Sequence, residues 1–547
     1  MTQKLLMGNE AIGLGAIDAG ISGVYAYPGT PSTEITEFIQ EHPLAKERNI
    51  HRRWCTNEKT AYEGALGMSY AGKRALVCMK HVGLNVAADA FINSTFTGVN
   101  GGLVLVVADD PSMHSSQNEQ DTRFYGSFAM IPILEPSNQQ EAYDMMRNAF
   151  ELSEAIHYPV LFRITTRLAH SRSGVVQKLS PAEEKNLSFP PDLRQFVLLP
   201  AIARQRYKLL LNQQDDFLQR SEQSPYNQYF PGKDPSLGII CCGIALNYLL
   251  ENYPDNTCPY ALIKIGQYPV PRTLIRRLEK ECDELLVLEE GYPLLEEMLT
   301  DFFGKGKRIR GRLDGTLPRA GELSPDRVAQ ALQRKYKAGP DVPGVVVNRP
   351  PSLCAGCGHQ DLFRALNEAL EPWGDGHVFS DIGCYTLGAL PPYRSINSCV
   401  DMGASVTMAK GAADAGLFPS LAVVGDSTFT HSGMTGLLDA VNDDANVVII
   451  ISDNQSVSMT GGQDSSATGH LEAICRGLGV HPDHIRTLVP HKKNHEEMVR
   501  IIREEIHYPG VSVIIPTREC LQRSARLMRA ERSVTKNNCT STKKPNP

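Results

Sequence analysis

LAVVGDSTFTHSGMTGLLDAVNDDANVVIIISDNQS, residues 421–456, is the stretch whose reading decides the fold. Two short apolar runs, Leu421–Val424 and Val447–Ser452, each end in a polar turn, GDS at 425–427 and DN at 453–454, with a helix-length segment between them. Buried parallel strands joined by a crossover helix read this way, and a right-handed crossover brings both turns to one sheet edge. The same rhythm recurs upstream. Val24–Tyr27 runs into PGTPSTE, Ala75–Met79 into an alanine-rich segment, and Leu103–Ala108 into DDPS. The fold class is therefore α/β, with more than one doubly wound parallel sheet.

The bulk numbers agree. A chain of 547 residues is too long for a single core. Hydrophobic content of 42% and charge of 21% suit an ordinary globular protein, and a net charge of −6 gives no reason to expect nucleic acid. Glu10 interrupts any apolar core of a signal peptide, and the longest apolar runs are too short to span a bilayer, so a cytoplasmic protein with no membrane contact is expected. The 13 cysteines are odd in number and scattered, which argues against a disulfide framework. Cys78, Cys241, Cys242 and Cys475 lie in apolar runs and read as core residues.

Breaks in the rhythm divide the chain. Prolines 181, 190, 191 and 200 and a polar stretch mark 177–236 as a linker containing a helix. A smaller α/β unit follows at 237–342, with strands near Leu237–Cys242, Tyr260–Ile265 and Glu284–Glu289. The seam AGPDVPGVVVNRPPS leads to a last unit at 343–520, and 521–547 is basic and polar and expected to lack structure.

The chemistry concentrates at the strand ends. Glycine amides and helix N-termini suit a diphosphate, and a hard cation on it needs oxygen ligands, which Asp426, the Asn454 amide and a nearby carbonyl can supply. Taken alone, both are equally ordinary turn residues. CAGCGH at 354–359 holds a C-x2-C pair compatible with zinc, redox or iron–sulfur chemistry. In TNEKTAYEGALGM, Glu58 stands in the first turn of a helix, where a carboxylate is commonly placed by the dipole. Thr30 before Pro31 in YPGTPSTE reads as a helix N-cap.

These residues, taken together, resemble the thiamine-diphosphate-dependent 2-oxoacid:ferredoxin oxidoreductases, and the segments KHVGLN at 80–85 and HSSQNEQDTR at 114–123 resemble the large subunit of the indolepyruvate branch. The thiamine motif is usually GDG, roughly 25 residues, then NN; here Ser427 and Asp453 depart from it, and neither change removes a presumed metal ligand. The resemblance covers nearly the whole chain. It implies a pyrimidine-binding domain at 1–176, a transketolase-C-like domain in the middle and a diphosphate-binding domain last, with thiamine held between the first and last of these, from different protomers or copies.

The resemblance further implies roles. Asp426, Asn454 and the Ser456 carbonyl would hold Mg2+, with Gly403, Ser405, Gly425 and Ser427 at the diphosphate; Met402 would support the cofactor or serve as core. Glu58 would bond the pyrimidine ring nitrogen, Thr30 the substrate 2-oxo group, and His81 and Arg123 the rest of the substrate. Arg123 suits a carboxylate by its planar fork, and an ordinary surface arginine fits as well. Cys354, Cys357, Cys384 and Cys520 would ligate a [4Fe-4S] cluster, although zinc accepts the same set. The implied reaction is oxidative decarboxylation of aryl 2-oxo acids with coenzyme A, alongside a smaller beta subunit and ferredoxin, in a hetero-oligomer with two copies of this chain. A non-oxidative decarboxylase or carboligase, and a non-catalytic scaffold, share the same thiamine domains. The two C-x2-C-x2-C-x3-C-P runs that commonly end the family's large subunits do not occur in this sequence, where Cys539 stands alone after Cys520.

Overall fold

The computed structural model describes residues 2–529 apart from 179, 255–256, 304–306, 336–342 and 348–349. The chain forms two compact units, Met1–Asp341 and Val342–Pro547.

The first unit is built on a seven-stranded sheet in the order Gln267–Tyr268, Ile133–Leu134, Val160–Thr165, Leu103–Asp109, Ala75–Lys80, Gly23–Ala26, His51–Trp54. All pairs are parallel except the first, which is antiparallel. The three central strands are buried at every position, which explains their unbroken apolar sequence. A second, five-stranded sheet runs Arg308–Arg310, Glu284–Leu288, Asp234–Cys242, Tyr260–Ile265, Gln228–Phe230. The strands read from sequence agree with these to within a few residues. One apolar core serves both sheets: Val106 and Phe162 belong to the same cluster as Ile239 and Leu286.

The segment expected as a linker is tied down. Its backbone docks by Ala182 N to Asp18 O (2.7 Å) and Ser188 N to Ala71 O (3.0 Å). Its helix, Pro200–Glu222, starts on a proline and buries Leu210 and Phe217. The Ser221 hydroxyl donates to the carbonyls of Gln267 (3.0 Å) and Pro269 (2.5 Å), which fixes the strand that crosses from the second sheet's segment to the edge of the first.

A buried charge network joins the two sheets. Arg163, fully buried, binds Asp109 (2.6 Å) at the end of one strand, the Glu135 carboxylate and the Glu290 carbonyl (2.9 Å). Arg123, equally buried, binds Asp121 (2.5 Å) and Glu289 (2.8 Å). Ionic groups out of water persist only when each is paired.

The second unit is an all-parallel sheet in the order Val378–Ser380, Leu421–Gly425, Val447–Ser452, Val511–Pro516, Ile485–Leu488. Successive side chains point to opposite faces. Leu421, Val423, Val448 and Ile450 pack against the helices Gly358–Leu370 and His495–Ile506, while Ala422, Val424, Ile449 and Ile451 pack against Ala404–Asp414 and Met434–Asn442. The sheet is therefore doubly wound. Residues 521–529 are helical rather than unstructured, because Arg523 pairs with Asp464 (2.6 Å) and Arg526 donates to the Gly461 carbonyl (2.6 Å); 530–547, with Cys539, lie outside the described residues. Among the described residues no helix is long and apolar enough to cross a membrane.

Removing one member of the charge network strands the others. Arg163→Ala should destabilise the first unit by about 3–5 kcal/mol, read as a lowered midpoint in chemical denaturation. An unchanged midpoint would show that the pairs carry no net stability.

Candidate functional site

In the first unit, three of the four residues singled out from sequence come together at the carboxyl edge of the sheet. Ala75–Lys80 passes directly into the helix His81–Thr97. His81, 1% exposed, meets the Asn118 amide oxygen through Nε2 at 3.1 Å, and its Nδ1 is buried with no hydrogen-bond partner. Glu58 opens the helix Glu58–Tyr70 behind the Asn57 cap and is buried at 5% exposure. Its carboxyl lies against Gly83, where a Cβ would stand 2.6 Å from Oε1, so only glycine admits the carboxylate there. Thr30 contributes its carbonyl to the Ser115 hydroxyl at 3.3 Å. Thr30 is not the helix cap: Ser32 N closes a turn on the Gly29 carbonyl (2.9 Å), and the helix Thr33–Glu41 begins after Ser32.

Arg123 does not belong to this group. It is neither a surface residue nor open to a substrate, because its guanidinium is spent on Asp121, Glu289, Tyr268 and the carbonyls of Glu290 and Tyr292. A residue that sequence reasoning passed over, Lys80, stands at the same sheet edge. Its Nζ donates to the Ser115 carbonyl (2.8 Å) and hydroxyl (3.2 Å), and burial lowers its proton affinity to about 8.

In the second unit, three acids line up at adjacent strand ends: Asp381, Asp426 and Asp453. Gly425 pairs in register with Ser452, which sets Asp426 beside Asp453. Gly425 is required because a Cβ there would stand 2.6 Å from the Tyr385 ring. Asp426 is 2% exposed, and its Oδ2 is buried with no hydrogen-bond partner. Burial, with the Asp453 charge added, pushes its carboxyl up to about 7, against the opposing Ser465 hydroxyl. An ionisable oxygen left bare in the interior is costly by itself and suits a hard cation.

The other expected ligands are placed differently. The Asn454 amide oxygen accepts from Ser456 N (3.1 Å) and from the hydroxyls of Ser456 (3.3 Å) and Ser458 (3.4 Å), closing a loop around Gln455, whose φ is 60°. The backbone N–H groups of Gly403 (3.2 Å) and Ser405 (3.4 Å), with the Ser405 hydroxyl (2.5 Å), donate to Asp381 rather than standing open to a diphosphate. Asp381 is fully buried and needs these donors; even so, its carboxyl is pushed up to about 7 by burial. The Asp381 signal was present in the sequence, an acid ending an apolar run as in GDS, but its strand has only three residues and escapes a periodicity reading. Ser465, in the loop after GGQ, carries no such signal. The segment 429–433 just past Asp426 is one π-helical turn, a wide turn often found at functional sites.

Cys354, Cys357, Cys384 and Cys520 converge from three stretches of chain on one cavity of about 120 Å3. Burial raises the Cys384 thiol to about 12, and the other three thiols add to the shift. Cys357 Sγ sits 3.2 Å from His359 Nδ1, and the buried His359 Nε2 has no hydrogen-bond partner. Among the described residues no three His, Cys, Asp or Glu are grouped to hold a single metal ion. The loop that carries Asp453 and Asn454 adjoins the same cavity. Asp453 bridges Thr517, Cys520 N donates to the Asn454 carbonyl (3.1 Å), and Asn454 lines the cavity. Cys78, Cys241, Cys242 and Cys475 are buried, as expected of core residues.

Comparison with known proteins supplies chemistry for both units. Residues 14–194 match the family described as "Pyruvate flavodoxin/ferredoxin oxidoreductase, thiamine diP-bdg", and residues 381–515 match "Thiamine pyrophosphate enzyme, C-terminal TPP binding domain". The indolepyruvate oxidoreductase subunit IorA of Pyrococcus abyssi is 37% identical over 96% of this chain and 87% of its own. That of Archaeoglobus fulgidus is also 37% identical, over 96% and 88%. A solved 2-oxoglutarate:ferredoxin oxidoreductase from Magnetococcus marinus shares the fold, with TM-score 0.50 and 15% identity over 60% of this chain and 65% of that one.

Asp426 generates a two-sided expectation. The folded carboxyl keeps its proton up to about pH 7, whereas an unfolded one ionises near pH ~4, so stability falls as pH rises through that interval. At pH 8 without metal, Asp426→Asn should therefore stabilise the protein, on the order of a few kcal/mol. With Mg2+ and thiamine diphosphate the order of melting temperatures should reverse. If both proteins gain equally from the ligands, Asp426 is not a cation ligand.

Proposed function

The chain belongs to the family of indolepyruvate oxidoreductase IorA subunits, and from that premise we propose that it decarboxylates and oxidises aryl 2-oxo acids, indolepyruvate among them, with thiamine diphosphate, Mg2+, coenzyme A and a [4Fe-4S] cluster. It is an oxidoreductase with thiamine-binding domains. The observation that carries the finer reading is the bare, buried Asp426 oxygen at the edge of a thiamine-type sheet.

Asp426 holds the cation on the diphosphate. Asn454 and the Ser456 carbonyl would be its further ligands, the Asn454 amide oxygen now being held by Ser456 and Ser458. Gly425 and Ser427 frame the approach of the diphosphate. Gly403 and Ser405 act through Asp381, which clamps the start of their helix. When bound, thiamine diphosphate supplies a nucleophilic carbon and an electron sink for loss of CO2. Glu58 holds a proton at the pyrimidine ring nitrogen, which a buried carboxyl does well. Thr30 and His81 orient the 2-oxo acid, and the burial of His81 keeps water from it.

The four cysteines share one cavity and match the ligand number of a [4Fe-4S] cluster, a set that zinc also accepts. Such a cluster would pass electrons singly to ferredoxin. A smaller beta subunit completes the enzyme, which holds two copies of this chain and works in the cytoplasm.

Anaerobic protein with its small subunit should contain iron and sulfide and reduce a dye when given indolepyruvate plus coenzyme A. Decarboxylation without dye reduction would identify a non-oxidative enzyme, and failure to bind thiamine diphosphate a scaffold. Glu58→Ala should lower turnover by about 10^2–10^4-fold with cofactor binding retained; wild-type activity would remove Glu58 from the mechanism. Cys354→Ser should bleach the brown absorbance, and a surviving spectrum would reject the four-thiolate assignment.

A further inference from the structure

A 2-oxo acid brings a carboxylate into the site, and the arginine expected to receive it is locked into the structural network. The first unit offers another cation. Lys80 ends the central strand Ala75–Lys80 and caps the 17-residue helix His81–Thr97. It is 8% exposed. An ammonium has three protons to donate, and two of those of Lys80 go to neutral oxygens of Ser115. Among the described residues, the hydrogen-bond partners of its Nζ are both oxygens of Ser115 and neither is a carboxylate. Asp110, the acid that acts on it electrostatically, is occupied by Ser115 N (2.8 Å), the Ser116 hydroxyl (2.5 Å) and the Thr166 hydroxyl (2.6 Å). A buried cation held only by neutral groups favours an incoming anion.

Its surroundings say which anion. The Ser115 hydroxyl that receives Lys80 lies 3.3 Å from both the Thr30 carbonyl and Asp110 Oδ2, either of which can take its proton, so the ammonium is one hydroxyl away from Thr30. The next residue, His81, has a buried, unpartnered Nδ1. Two residues further, Gly83 abuts the Glu58 carboxyl. The first-turn amides of the helix add positive potential at the same place. We infer that the Lys80 ammonium binds the carboxylate of the 2-oxo acid, with Thr30 and His81 beside it at the keto group. This rests on the functional reading above, since it presupposes a 2-oxo acid.

The alternative is that Lys80 only pins the loop 114–118. The two roles separate in the assembled enzyme with two non-reacting probes, indole-3-lactate, which keeps the carboxylate, and tryptophol, which lacks it. Lys80→Met should weaken indole-3-lactate about a hundredfold and tryptophol by less than about twofold, with a parallel rise in KM for indolepyruvate. Affinity for thiamine diphosphate with Mg2+ should not change. Lys80→Arg should recover most of the loss, because it restores the charge. Equal loss for both probes, or wild-type affinity of Lys80→Met for indole-3-lactate, overturns the assignment. A wild-type enzyme that is active on 2-oxo acids while Lys80→Met matches it overturns Lys80 alone. A wild type inactive on every 2-oxo acid overturns the functional reading and this assignment together.

Discussion

A parallel sheet has one edge at which all its strands end, and every polar group that follows a strand is delivered there. In the first unit that edge collects Thr30, Lys80, His81 and Asp109–Asp110; in the second it collects Asp381, Asp426, Asp453 and Thr517. The strands are buried on both faces, so these groups are charged or dipolar side chains at the rim of an apolar slab. Desolvation raises Asp381 and Asp426 and lowers Lys80.

What happens to each desolvated group separates structure from site. Arg123 and Arg163 meet carboxylates on every side and are complete within the fold, which is why they join two sheets instead of receiving a ligand. Asp381 finds two amides and the hydroxyls of Ser405 and Tyr385 and is likewise complete. Asp426 has an oxygen left bare, and Lys80 has only neutral acceptors. Polar groups of that kind reduce stability unless something arrives to satisfy them, the usual exchange of stability for function.

Connectivity adds a second link in the carboxyl-terminal unit. The loop after Val447–Ser452 carries Asp453 and Asn454, and the one after Val511–Pro516 carries Cys520; Asp453 bridges Thr517 and Asn454 accepts from Cys520 N. The two loops, which carry the proposed cation and cluster ligands, are thus connected through a few backbone hydrogen bonds. Nothing in the spacing of DN and PTREC signals this, because it arises from strand order, with Val511–Pro516 placed next to Val447–Ser452 rather than beyond Ile485–Leu488.

By itself the sequence determined what repeats along the chain: buried strands followed by helices, hence a doubly wound α/β fold, and the residues that stand at the strand ends, since periodicity and turn chemistry are local. The Glu58 helix start, the GDS turn and the four cysteines were legible for that reason. Tertiary structure alone decided which of those ends keep an unsatisfied polar atom. Arg123 read as a substrate contact or a surface residue and is sealed by Glu289, 166 residues away; Lys80, which the sequence did not single out, lies buried with its ammonium on the neutral oxygens of Ser115. Pairing across such separations depends on how sheets pack, and no local pattern encodes it.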